Sequence, residues 1–178
     1  MTSTGHAVSG FHVASEPTGA LDCSDVGASP GAVSKNILEC GPSAEYAIAC
    51  WKSATPKRAL CMRNPRSHKL AKIRYGGPFA HRAAPREGSA PLAITLGDGD
   101  KCSIRDGGAW GTLKAHPNWS GEYSCVHDGV VWAPLKSTHY GVNETHAQWT
   151  VHTAAASGKG PVSVRKVTRA YFVGTKHA

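Results

Sequence analysis

The sequence contains no long apolar run. No window approaches the roughly 20 residues needed by a bilayer-spanning helix. The first thirty residues hold no apolar stretch long enough for a signal-peptide core, so an exported form is expected to be a mature one carrying a start Met. Charge is sparse: Asp, Glu, Lys and Arg make up 18 % of the chain, against about 25 % in an ordinary domain. There is no Lys/Arg run and no basic stretch interleaved with aromatic residues, which argues against specific nucleic-acid binding. Familiar chemical motifs are missing too. No C-x-x-C pair presents two ligands to one metal ion, and there is no H-E-x-x-H or H-x-H. Gly97–Gly99 lacks the Lys-Ser/Thr of a phosphate loop. Asp98-Gly99-Asp100 lacks the further carboxylates of a calcium loop, so a β-turn is expected there. No cofactor and no metal site is expected.

Turn formers and dispersed cysteines dominate what remains. The 178 residues are 40 % apolar, enough for a hydrophobic core, and 20 Gly and 11 Pro punctuate them. Many short strands joined by loops are expected rather than long helices. Cys23, Cys40, Cys50, Cys61, Cys102 and Cys125 are spaced ten or more residues apart. An even number of dispersed cysteines fits disulfides and an oxidising compartment, hence a secreted or cell-envelope protein.

Residues 1–36, rich in Ser, Gly, Ala and Pro, read as loops, with 1–20 as a flexible N-terminal segment. Strands are expected at 37–40, 45–52, 58–63, 69–75, 91–96, 102–105, 121–127, 130–133, 148–153 and 162–173. The segment 45–52 alternates Tyr46, Ile48 and Cys50 with Ala47, Ala49 and Trp51. Residues 79–90 read as a polar loop with His81, Arg82 and Arg86. Gly107-Gly108 and Asp128-Gly129 mark turns, the latter a two-residue hairpin signal. No repeat or linker divides the chain, so 21–178 is expected to be one β-rich domain.

Six cysteines allow fifteen connectivities. If 49–51 pairs with 59–61, Cys50 and Cys61 face each other across adjacent strands, within the 4.4–6.8 Å Cα separation typical of a bridge. Cys102 and Cys125 flank the Gly-rich middle, and Cys23 and Cys40 remain. The expectation is therefore a mainly β, compact antiparallel sandwich or barrel-like domain with long loops and bridges Cys23–Cys40, Cys50–Cys61 and Cys102–Cys125. Each bridge should add roughly 2–4 kcal/mol.

The net charge is +8, and its densest region runs through Lys57, Arg58, Arg63, Arg66, Lys69, Lys72 and Arg74. Lys72 and Arg74 would share one strand face. Five Trp stand beside only three Phe. Trp51, Trp132 and Trp149 are expected in the core. Trp110 and Trp119, in Gly/Pro/Asn-rich segments, are candidates for stacking on a sugar or anchoring a partner. With Lys72, Arg74 and Arg105 they form the ligand-binding candidates. Of ten histidines, His139, His146 and His152 are the closest cluster, with His116 and His127 a second grouping; each is expected as an isolated side chain. Ser120, Glu122, Glu144, Asp98 and Asp106 have catalytic chemistry, but no distinguishing pattern singles out any of them as catalytic.

At Cys50-Trp51, Ala59-Leu60-Cys61-Met62-Arg63-Asn64-Pro65, Asp98-Gly99 with Cys102 through Trp110, Tyr123-Ser124-Cys125, Trp149-Thr150-Val151 and Ala170 through Thr175, the sequence resembles a group of small exported, disulfide-containing mycobacterial and related actinobacterial proteins. The resemblance runs from about residue 36 to the end. It implies export to the envelope or medium and disulfides at the matching cysteines, and carries over no catalytic residue. The leading expectation is a non-enzymatic exported module that binds a protein, glycan or anionic polymer. The alternatives are an extracellular hydrolase of cell-wall material and a structural subunit or effector docking through a basic face.

Overall fold

The computed structural model describes residues 1–2, 5–15, 20–24, 26–41, 47–80, 84, 88–105, 110–127 and 129–174. Among them are eleven β-strands and no helix, so no helix here is long and apolar enough to cross a membrane. The chain forms two compact units, Met1–Ser89 with Phe172–Ala178, and Ala90–Tyr171, where one β-rich domain from residue 21 was expected.

The first unit is a mixed sheet of β1 (His12–Ser15), β2 (Leu21–Asp22), β3 (Cys50–Lys52), β4 (Arg58–Asn64) and β5 (Lys69–Gly76). β3, β4 and β5 form an antiparallel meander, and β1 and β2 both join the free edge of β5 in parallel. Alternation shows on β5: Ala71, Ile73 and Tyr75 are buried, Lys72 is half-buried and Arg74 exposed. The buried face builds a core with Leu21, Leu38, Ala59 and Phe79 around four cysteines. Cys50 lies directly opposite Cys61 in the β3–β4 register and is bridged to it; Cys23–Cys40 is the second bridge.

Three expectations change in this unit. Residues 12–15, read as part of a flexible start, form β1. Its four side chains are exposed, so nothing in its burial pattern marks it; backbone pairing to β5 makes it a strand. Residues 37–40 form no strand, only bridges from Leu38 to Ala28 and Cys50. The strand expected over 45–52 is confined to Cys50–Lys52, because Ala47 adopts a left-handed φ of 58° and its carbonyl accepts from the Cys40 N–H. Residues 45 and 46 lie outside the described residues, as do His81, Arg82, Arg86, Gly107-Gly108 and Asp128.

The second unit is a closed antiparallel barrel of β6 (Ala93–Leu96), β7 (Lys101–Ile104), β8 (Trp119–Cys125), β9 (Gly129–Pro134), β10 (Thr150–Ala155) and β11 (Ser163–Tyr171). Each strand pairs with the next in sequence and β11 closes on β6, leaving no unpaired edge. Irregularities between Gly121 and Tyr123 and between Val167 and Arg169 supply the local bending that closure needs. Gly99, at φ 88°, turns β6 into β7 where the Gly-Asp-Gly-Asp segment predicted a β-turn.

One face of the barrel strands, in register, carries Ile94, Leu96, Ile104, Tyr123, Val131 and Val151, all buried, with the Cys102–Cys125 bridge between directly opposed residues of β7 and β8. The Tyr123 hydroxyl donates to the Pro91 carbonyl at 2.7 Å. Burial, then the nearby Glu122, Tyr140 and Glu144, pushes its phenol well above the usual tyrosine range.

Candidate functional site: an aromatic and histidine surface on the barrel

The opposite, outer face of β8, β9 and β10 is unusually aromatic. The register sets Trp119 beside Pro134, Gly121 beside Trp132, and Trp132 beside His152. The connection from β7 to β8 lies over these strands: Leu113 is buried with Val130, Trp132 and Ala154, and Trp110, Trp119 and Val162 pack against that cluster. A Lys114 N–H bond to the Gly158 carbonyl, 2.9 Å, ties this connection to the β10–β11 turn.

Gly121 explains where Trp110 sits. A Cβ on Gly121 would fall inside van der Waals contact with the Trp110 ring, so the missing side chain is what seats the indole. The Arg105 guanidinium lies 4.8 Å from the centre of the same ring, a cation–π distance. Trp110 is thus a half-buried packing residue already in contact with its own chain, not an open stacking plate. Trp119 is also half-buried. His116 stacks on it at 4.3 Å with planes 16° apart, and His152 meets it edge to face at 5.1 Å.

A pocket of about 180 Å³ adjoins this cluster, lined by Trp132, Ala133, Pro134, Ser137, Gly141, Val142, Asn143 and His152. Its polar groups are mainly donors. The Asn143 side-chain oxygen accepts from the Thr145 hydroxyl (2.6 Å) and N–H (3.1 Å), which leaves the amide NH₂. Ser137 Oγ accepts from the Gly141 N–H at 3.1 Å and keeps its own proton to give. The buried Trp132 indole N–H has no acceptor among the described residues. Apolar character continues outward, since Val164, the cross-strand partner of His152, is 64 % exposed.

The sequence candidates are therefore divided. Arg105, Trp110 and Trp119 come together on the barrel, whereas Lys72 and Arg74 belong to β5 of the other unit. Trp132 is fully buried as expected, but Trp51 and Trp149 are only half-buried. His116, His152, Ser137 and Asn143 were not singled out as ligand contacts. The one signal available was the position of His152 on the polar side of the alternating 148–153 segment; the others sit in turns that only the fold brings to β9.

The candidate catalytic groups are mostly engaged locally. The Ser120 hydroxyl donates to Glu122 at 2.6 Å, and His139 lies 3.9 Å from Glu144. Asp98 and the buried Asp100 both pair with Arg165, and Asp100 also meets His127 at 3.0 Å. Asp106 lies outside the described residues. Asp100 comes within 4.8 Å of the Cys102 and Cys125 sulfurs, but their bridge consumes both sulfurs and leaves no thiolate to bind a metal. Compared with known proteins, the chain matches no family model, no curated protein and no solved structure.

Proposed function

We propose that this protein is an exported, non-enzymatic binding module whose barrel takes a glycan in the pocket between Trp132, His152 and the 135–143 turn. The observation that carries the reading is a concavity that joins an aromatic edge to hydrogen-bond donors: His152, set edge-on to Trp119 and its His116 stack, borders the pocket, and Ser137 and Asn143 bring a hydroxyl and an amide to the same space. Sugar rings present apolar C–H faces for aromatic contact and oxygens for these donors. The pocket is smaller than the roughly 300–1,000 Å³ of drug-sized ligand sites, so it suits a single ring or a chain end. Three bridges and no free cysteine among the described residues support residence in an oxidising compartment.

The test is a glycan array followed by titration of the strongest hit. His152→Phe keeps an aromatic edge against Trp119 and removes the ring nitrogens; it is expected to weaken that glycan at least about tenfold, the worth of one or two lost hydrogen bonds. Unchanged affinity in His152→Phe, or an array without a hit, overturns the reading.

A further inference from the structure

The register of the first unit sets Arg58 of β4 directly opposite Arg74 of β5. Like charges facing each other across an antiparallel pair destabilise it. Neither guanidinium has an ion pair or hydrogen bond among the described residues, and the ammonium of Lys72, two residues from Arg74 on the same face, has none either. The contrast with Lys57 is sharp: its ammonium donates to the Gly77 carbonyl at 2.7 Å and lies over the Tyr75 ring. The next row of this face runs Trp51–Leu60–Lys72 across three strands, so the cations stand beside a half-buried indole on a rigid sheet.

We infer that Arg58, Arg74 and Lys72 form a docking surface for a linear chain of phosphate groups. The argument is charge complementarity with geometry. A phosphate chain carries charge on every unit and its free oxygens are splayed tetrahedrally, so two opposed guanidinium forks can engage it at once, whereas the carboxylates of an acidic peptide stand on separate flexible arms. Lys72 lies one two-residue step along the strand from Arg74, about 6.6–6.8 Å, and suits a group further along the chain better than the same ion. This surface lies on the mixed sheet and does not depend on the glycan pocket of the barrel.

Titration of the intact protein with inorganic polyphosphate tests it. Arg58→Gln and Arg74→Gln are each expected to weaken binding about tenfold and to reduce the slope of log affinity against log salt by about 1. Lys159→Gln, an equal loss of charge at an exposed barrel turn, is expected to bind like the parent. Arg58→Lys, which keeps the charge and the fold but loses the fork, should fall in between. Orthophosphate and polyglutamate of matched length should bind at least tenfold more weakly than polyphosphate. Thermal midpoints of the Gln variants should hold or rise, because the like-charge opposition is relieved. The inference is overturned if the arginine variants bind like the parent, if Lys159→Gln loses as much as they do, if Arg58→Lys is indistinguishable from the parent, or if polyglutamate or orthophosphate binds as tightly as polyphosphate.

Discussion

The two units are both β and both bridged, yet they are held together differently. The mixed sheet has strands as short as two residues, and small side chains fill much of its interior: of the 21 buried apolar residues described in this unit four are cysteines and six alanines, against two and four of 18 in the barrel unit. Alanine and bridged cysteine bury little apolar area, so covalent closure of the chain takes a larger share of its stability. The barrel closes all its backbone pairings within one meander and fills itself with Tyr123, Ile94, Leu96, Val131 and Val151, with Trp132 buried on its outer side. Its single bridge, like Cys50–Cys61, joins residues that the strand register sets face to face, so the barrel has one covalent closure where the mixed sheet has two. A short chain segment becomes a fixed element either by bridging or by being surrounded, and this protein uses one device on each side.

Reduction should separate them most strongly. Bridges spanning 17 and 11 residues each restrict the unfolded chain by about 3 kcal/mol, and their joint loss of about 6 kcal/mol rivals the whole stability of a small domain. Under mild reductant, hydrogen exchange should collapse in β4 and β5 while β9 and β10 stay protected. Equal loss of protection in both units would break the comparison.

A glycine exchange in each unit gives a smaller effect of contrasting sign. Gly121→Ala pushes a methyl into Trp110 and should destabilise the barrel by about 1–3 kcal/mol, with a red-shifted tryptophan emission. Gly76→Ala, at the end of β5, meets nothing within 4 Å and has no left-handed φ. It should be neutral or stabilise by up to about 1 kcal/mol through reduced freedom of the unfolded chain. Chemical denaturation of both variants measures the difference, and a neutral Gly121→Ala would remove the indole-on-glycine account of the barrel's outer face.

The smallest effect is on the alkaline side and belongs to the barrel. The folded Tyr123 phenol titrates above the unfolded value of about 10. The native state therefore favours the protonated form: this stability is fully present below about pH 10 and is lost as pH rises toward the raised pKa. Ultraviolet titration should show Tyr123 ionising only as the barrel opens. Tyr123→Phe should cost about 1 kcal/mol near neutrality, since the Pro91 carbonyl loses its donor, and should flatten the alkaline fall. An unchanged alkaline slope in that variant would assign the effect elsewhere.

Strand positions from residue 58 onward were largely legible in the sequence, because alternation such as Ala71, Ile73, Tyr75 against Lys72, Arg74 is a direct imprint of a pleated sheet with one buried side. β1 was not, since its four exposed side chains carry no burial pattern and only the backbone of β5 makes it a strand. The candidate site was half legible. Trp110, Trp119 and Arg105 were marked by residue type, but His116 and His152 acquire meaning only by lying on Trp119, and Asn143 and Ser137 only by lining the same concavity.

By itself the sequence determined the β class, the disulfide framework and most strand locations, since these follow from local periodicity, turn formers and cysteine spacing. Tertiary structure alone decided that the chain forms two units and that the last six strands close into a barrel. It alone also set two arginines face to face on β4 and β5. Each of these depends on which distant strands become neighbours, and local residue patterns specify a strand's two faces but not the strand beside it.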